Sequence, residues 1–244
     1  MGKPWLIGHR GASGSAPENT MAAFRLAIEQ GAGFLETDLH LTRDAHLVAI
    51  HDATLERTTS GRGFVKELNL AELLELDAGS WFAPDFAGER IPTLEQVLAF
   101  ARETDIGLFL EIKQESAWGI EHSLVGSLRS AGESHRVVVL SFSEGILRNL
   151  RRLDNTLMSG LLFDSMPGGV ADLIERALSI GVRQLAPRLD LLSPELVAAA
   201  RQHDLQVVVW TANLPEEMRA SIAAGVDGIM TDFPARLRDL LQNG

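Results

Sequence analysis

Four short groups of residues have the types and spacing to do chemistry: His9-Arg10-Gly11, Glu36-Thr37-Asp38, His51-Asp52 and Glu111-Ile112-Lys113. Residues two apart on a β-strand point to the same side. Glu36 therefore shares a face with Asp38, and Glu111 with Lys113. Carboxylates gathered on a buried face without a matching number of cations are costly, and three of them ask for a bound divalent metal. All-oxygen ligation favours Mg²⁺, Mn²⁺ or Ca²⁺ over zinc. Arg10 and Lys113 are cations of the kind that grip a phosphate. His9 and His51 have the chemistry of a general acid and a general base acting across a phosphodiester. Together these parts specify metal-assisted phosphoryl transfer.

Each group alone says little, since a lone histidine at a strand end is more often a structural hydrogen-bonder. Their placement carries the weight. Three times a helical run ends in glycine and a short strand follows: Phe24 to Gln30 before Gly31, Ala171 to Ile180 before Gly181, and Met218 to Ala224 before Gly225. Glycine just past a helix end suits the left-handed cap. Helices alternating with short apolar strands imply a parallel sheet. Strands are expected at 4–9, 33–39, 46–51, 107–113, 136–142, 157–163, 182–189, 205–211 and 226–232. Helices fit between most of them, at 21–30, 94–103, 120–131, 143–153 and 194–203. The four polar groups fall at the C-terminal ends of these strands, the face on which (β/α)8 barrels carry their active sites.

Nine strands are one too many for a plain eight-fold barrel. The surplus is explained by a hairpin, because Leu39–Thr42 and His46–Ile50 alternate around Arg43-Asp44-Ala45. A two-residue turn at Arg43-Asp44 pairs Glu36 with His51, and one at Asp44-Ala45 pairs Asp38 with His51. Either register sets a histidine beside a carboxylate, whereas a three-residue loop shifts it. From Asp52 to Arg90 the alternation lapses into turn-rich sequence with a short helix over 70–76. This stretch is expected to be an insertion over one barrel mouth, approximately residues 53–90, within one domain spanning 1–244.

The 244 residues suit one α/β barrel of about 250. With no cysteine, disulfides, thiolate metal sites and cysteine nucleophiles are excluded. Thirty-three acidic residues against 22 basic give a net charge of −11, which argues against a nucleic-acid or anionic-membrane surface. It leaves an anionic substrate possible in principle, because a cleft can oppose the global sign. Lysine occurs only at positions 3, 66 and 113, so Lys113 stands out. No apolar run is long enough to span a membrane, and Met1–Gly8 lacks the apolar core of a signal peptide. A cytoplasmic location is the expectation, with the chain a monomer or homodimer.

The motifs resemble those of the glycerophosphodiester phosphodiesterase family. His9-Arg10-Gly11 with Pro17-Glu18-Asn19-Thr20 is similar to its opening signature, and 36–44 with 48–52 to its second block. Glu111-Ile112-Lys113, Trp210-Thr211-Ala212-Asn213 and Asp227–Pro234 match later blocks in the same order. The resemblance implies a distorted (β/α)8 TIM barrel with a small insertion after the second catalytic histidine. It implies His9 and His51 as the acid–base pair, Glu36, Asp38 and Glu111 as ligands of one divalent cation (Mg²⁺, Ca²⁺ or Mn²⁺), and Arg10 on the phosphate with Lys113 assisting. The implied substrate is a small glycerophosphodiester such as glycerophosphocholine or glycerophosphoethanolamine, and the products are sn-glycerol 3-phosphate and an alcohol. The compact insertion and the N-terminal sequence favour this branch over the architecturally similar phosphatidylinositol-specific phospholipase C and sphingomyelinase D.

Secondary expectations attach to nearby residues. Glu18 braces Arg10, and Asn19 and Thr20 cap the helix starting at Met21. Asp52 either orients His51 or caps a turn. Trp210 either walls the glycerol side of the cleft or fills the barrel top. Gly168-Gly169 is better explained by a flexible turn than by a phosphate cradle. Trp81, Phe82 and Phe86 form a mini-core of the insertion, or else serve a lysophospholipase D acting on longer lipids. The remaining rival, a non-catalytic barrel that binds phosphodiesters, is disfavoured by the intact set of chemical groups.

Overall fold

The computed structural model describes residues 2–113 and 119–243. Eight parallel strands close on themselves: β1 (Trp5–His9), β2 (Phe34–Leu41), β4 (Gly107–Ile112), β5 (Val137–Ser141), β6 (Met158–Phe163), β7 (Gln184–Pro187), β8 (Gln206–Val209) and β9 (Gly228–Thr231). The ninth, β3 (Leu47–Ala49), pairs antiparallel with the end of β2. Helices ring the barrel, as expected for parallel strands buried on both faces. A shell of apolar side chains fills the space between strands and helices, among them Phe24, Leu35, Leu94, Leu110, Leu147, Leu185 and Ile229.

The interior is layered by the two-residue period of the strands. Ile7, Phe109, Val138, Leu140, Leu162, Ala186, Val208 and Met230 meet along the axis. Below them Trp5, Phe34 and Phe109 form an aromatic floor with ring centroids 5.3–6.4 Å apart. Continuing the same inward alternation upward, β1 reaches His9, β2 reaches Glu36 and Asp38, and β4 reaches Glu111. Register sets their neighbours: His9 lies opposite Glu36, and Asp38 opposite Glu111.

The β2–β3 hairpin has neither two-residue register. Leu39 pairs with Ala49 and Leu41 with Leu47, which leaves a three-residue loop, Arg43-Asp44-Ala45. Ala45 takes a left-handed backbone (φ 64°), and its N–H donates to Thr42 O at 3.1 Å. The last rung is Ile50 N–H to Asp38 O at 3.0 Å. His51 thus lies just past the ladder, its backbone carbonyl reached from β2 by His40 Nε2 and its side chain held by the loop beyond it.

Between β3 and the next long helix (Leu94–Thr104) the chain packs an aliphatic nucleus of Ile50, Leu55, Val65, Leu73 and Ile91. The short helix in it covers Leu70–Leu74. The aromatic trio is not that nucleus. Trp81, Phe82 and Phe86 make edge-to-face pairs at 5.6 Å outside it, with Trp81 40% exposed.

Candidate active site

β1 ends in a sharp turn. Arg10 (φ 58°) and Gly11 (φ 84°) both take left-handed backbones, and a Cβ on Gly11 would stand 2.6 Å from the Ala23 carbonyl carbon of the first helix, Met21–Glu29. Only glycine fits that conformation against that helix. The turn aims the Arg10 N–H at Glu36 Oε2 (2.9 Å). The Arg10 guanidinium reaches Asp38 Oδ2 (3.2 Å) and Glu18 Oε1 (3.0 Å).

Glu36, Asp38 and Glu111 are buried and offer carboxylate oxygens all within 4.8 Å of one another. Lys113 Nζ lies 2.7 Å from both Asp38 Oδ1 and Glu111 Oε1. The three carboxylates thus face two cations, one of which Glu18 shares. Burial, followed by the charges of Asp38 and Glu111, raises Glu36 well above the carboxylate range. Burial and Asp38 push Glu111 up to about 7 despite Lys113. Asp38 goes the other way: burial opposes its ionisation, but Lys113 and Arg10 hold it far below its ordinary value.

The donor set suits a hard divalent cation. Among the described residues, Glu36 Oε1 is buried without a hydrogen-bond partner, and Asp38 Oδ1 and Glu111 Oε1 have the Lys113 ammonium close by without an aligned hydrogen bond. Three inward oxygens with unused lone pairs and a shortfall of positive charge are what such an ion satisfies.

Each histidine has its Nδ1 tied to a carboxylate. His9 Nδ1 is 2.6 Å from Asp232 Oδ1, and His9 Nε2 is 3.9 Å from Glu36 Oε2. Asp232 is itself held by Ser13 Oγ (2.9 Å) and Asn213 Nδ2 (2.6 Å). Burial opposes its charge, yet His9 and these donors keep it ionised below its usual range. His51 Nδ1 is 2.6 Å from Asp52 Oδ1, so Asp52 orients the ring. Burial lowers the His51 pKa, and Asp38 works in the opposite direction.

Sequence reasoning brought His9, Arg10, Glu36, Asp38, Glu111 and Lys113 to one barrel mouth, and the structure places them there. Glu18 does brace Arg10, and Thr20 caps its helix by accepting from Ala23 N–H. Asn19 caps nothing. Buried in a left-handed backbone (φ 56°), it donates to Asp38 Oδ2 at 2.8 Å and accepts from Thr37 Oγ1 at 2.7 Å. Trp210, just past β8, donates from its indole N–H to Ala186 O (2.8 Å) and stands edge-on to Phe142.

Several supporting residues carry weaker signals in the sequence. Asp232 and Asn213 lie in motifs already noted, and a strand-end position was the available signal. His40 has Nε2 3.0 Å from the carbonyl oxygen of His51. Arg57 had no signal at all. A cleft of about 1100 Å³ opens at the opposite barrel end, lined by Lys3, Trp5, Arg201, Arg219, Asp227 and Leu240. Among the described residues it gathers no carboxylate cluster, so volume does not locate the chemistry here.

Residues 9–236 match the model of the glycerophosphoryl diester phosphodiesterase family. A glycerophosphodiester phosphodiesterase of Caldanaerobacter subterraneus subsp. tengcongensis is 40% identical over 244 residues, covering 99% of each chain. The structure of an Oleispira antarctica phosphodiesterase in complex with the product sn-glycerol-3-phosphate superposes with a TM-score of 0.89 at 28% identity, covering 99% of this chain and 98% of the other. A glycerophosphodiester phosphodiesterase of Agrobacterium tumefaciens superposes at 0.85 and 28% identity, over 97% and 99%.

Proposed function

This chain belongs to the glycerophosphoryl diester phosphodiesterase family, and from that premise we propose how its own residues hydrolyse a glycerophosphodiester to sn-glycerol 3-phosphate and an alcohol. One observation carries the reading. Two imidazoles, each tethered at Nδ1 to an aspartate, share one barrel mouth with a buried carboxylate cluster and two cations.

Arg10 binds the phosphodiester oxygens through its guanidinium, and Lys113 adds a second positive charge. Glu36, Asp38 and Glu111 hold one divalent cation, either Mg²⁺, Ca²⁺ or Mn²⁺. When bound, it supplies positive charge against the charge developing on phosphorus-bound oxygen. The tethers leave Nε2 of each imidazole to carry the moving proton. One histidine removes a proton from the attacking hydroxyl, either of water or of the glycerol itself, and in the second case water then opens the resulting cyclic phosphate to sn-glycerol 3-phosphate. As the new P–O bond forms and the bond to the departing alcohol breaks, the other histidine protonates the alkoxide. The aromatic floor below excludes water from beneath the carboxylates. Trp210 flanks the glycerol.

The test is a panel of glycerophosphodiesters and lysophosphatidylcholine, each assayed with Mg²⁺, Ca²⁺ and Mn²⁺, alongside His9→Ala and His51→Ala. Turnover of the glycerophosphodiesters is expected, with each histidine variant down by roughly 10²–10⁴-fold. Near-parental rates in either variant remove that histidine from the mechanism. Preference for the lysolipid would move the substrate assignment to a lysophospholipase D.

A further inference from the structure

The segment between β3 and the helix at Leu94–Thr104 contributes more than a cover. We propose that Arg57, which lies in it, is a positioning residue: its guanidinium ties the carboxylate that orients His51 to the carboxylate that orients Arg10.

The contacts form an unbroken chain. Arg57 Nε and Nη2 donate to Asp52 Oδ2 (2.7 Å) and Oδ1 (3.0 Å). Arg57 Nη1 and Nη2 donate to Glu18 Oε2 (2.8 Å) and Oε1 (2.8 Å). Asp52 Oδ1 continues to His51 Nδ1 at 2.6 Å. Glu18 Oε1 continues to Arg10 Nη1 at 3.0 Å, and Arg10 Nε to Asp38 at 3.2 Å. One planar fork thus serves two carboxylates, each bidentate, from two different loops.

An ordinary surface ion pair contributes little, but this one differs in geometry and in what it joins. Glu18 is largely shielded while Arg57 is half-exposed, and every nitrogen of the fork is engaged. His51 lies beyond the last rung of the β2–β3 ladder, so no strand pairing fixes its side chain. The Asp52–Arg57–Glu18 bridge supplies that constraint and references it to the phosphate-binding guanidinium. Misplacing a reacting group by about 1 Å costs on the order of 10²-fold in rate, so the bridge is worth keeping. Lysine cannot replace it, since an ammonium has no planar fork to span both carboxylates.

The proposal rests on His51 carrying a proton and Arg10 binding phosphate. Its test uses Arg57→Ala and Arg57→Lys in metal-loaded protein, with kcat and KM followed across pH and the His51 imidazole titrated by NMR. Both variants are expected to lose roughly 10- to 100-fold in kcat/KM, through a lower kcat and a higher KM together. In Arg57→Ala, Asp52 acts undivided on His51, so the imidazole titration moves up in pH. Added guanidinium at low millimolar concentration partly restores the alanine variant but not the lysine one. Should Arg57→Ala not fold, the lysine variant decides. Parental kcat/KM in Arg57→Lys, or an unmoved His51 titration in a folded Arg57→Ala, overturns the proposal. His51→Ala separates the premises: full activity there sinks the role of His51, whereas an inactive His51→Ala beside a parental Arg57→Lys sinks only the role of Arg57.

Discussion

His9 and Asp232 stand 223 positions apart in the sequence, yet His9 Nδ1 and Asp232 Oδ1 are 2.6 Å apart. Closure of the barrel brings them together, because β1 pairs with β9 and the two strands end at the same height, Gly8 opposite Thr231. The contact fixes which nitrogen is left for proton transfer. With Nδ1 donating to the carboxylate, Nε2 faces the Glu36 side of the site. Asn213 and Ser13 hold Asp232 from two further loops, so both carboxylate oxygens are engaged.

Asp232→Asn should therefore keep the fold and lose the chemistry. The amide retains the shape but presents a donor or a weaker acceptor to Nδ1, which favours the wrong tautomer. A loss of roughly 10²–10⁴-fold in kcat is expected, with KM little changed and the circular dichroism spectrum parental. Steady-state kinetics on glycerophosphocholine checks it, and a loss under threefold would mean the tether is dispensable.

Metal and pH should be linked, with a definite sign. Glu36 and Glu111 have raised folded-state pKa values, Glu111 reaching about 7 against an ordinary 4.5. For a raised group, the stabilisation is fully present below the unfolded value and is lost as pH rises through the folded one. Metal-free protein should thus become less stable between pH 4.5 and about 7. Glu18 and Asp232 are depressed, so their contribution is present above the unfolded range and fails as pH falls below it. A divalent cation needs the ionised ligands and competes with protons. The rise in Tm on adding Mg²⁺ or Mn²⁺ to chelated protein should be larger at pH 8 than at pH 5. Equal rises at both values, measured by calorimetry, would detach the ion from this cluster.

Much of this site was legible because strand alternation is local. Glu36 with Asp38 and Glu111 with Lys113 come from a two-residue period, and the glycine-ended helices announce parallel strands. The hairpin register is not legible in the sequence for an equally physical reason. Ala45 holds a left-handed backbone without being Gly or Asn, so the usual residue signal for a three-residue loop is absent. Asn19 reads as a cap because Asn is a good one, but its partner Asp38 comes from another strand. Arg57 joins groups from two loops, and no spacing encodes that meeting.

The aromatic floor yields a stability prediction. Phe109 is fully buried, with Phe34 at 5.7 Å and Trp5 at 6.4 Å between ring centroids. Phe109→Ala should cost about 3–5 kcal/mol, measured by denaturant unfolding. It also opens the space below Glu36 and Glu111. Water reaching them relieves the burial that raises their pKa values, so the pH-dependent loss of metal-free stability should flatten. A cost below about 1 kcal/mol would mean that the floor collapses to fill the void.

Asn19 sets Asp38 by holding both ends of it. Its amide donates to Asp38 Oδ2 at 2.8 Å, and its carbonyl accepts from Asp38 N–H at 3.3 Å and Thr37 Oγ1 at 2.7 Å. Asn19→Ala removes these contacts and puts a residue without asparagine's tolerance into a left-handed backbone. Partners that hold metal ligands typically contribute roughly 10–100-fold in affinity. Divalent-cation affinity should fall by about that factor, read by isothermal titration. Asn19→Asp keeps the shape but sets a further carboxylate against Asp38, and should do more harm than alanine at pH 8. At pH 5 the gap between the two variants should narrow as the new acid protonates. If alanine is the worse variant at pH 8, then shape at position 19, and not its amide donor, is what Asp38 requires.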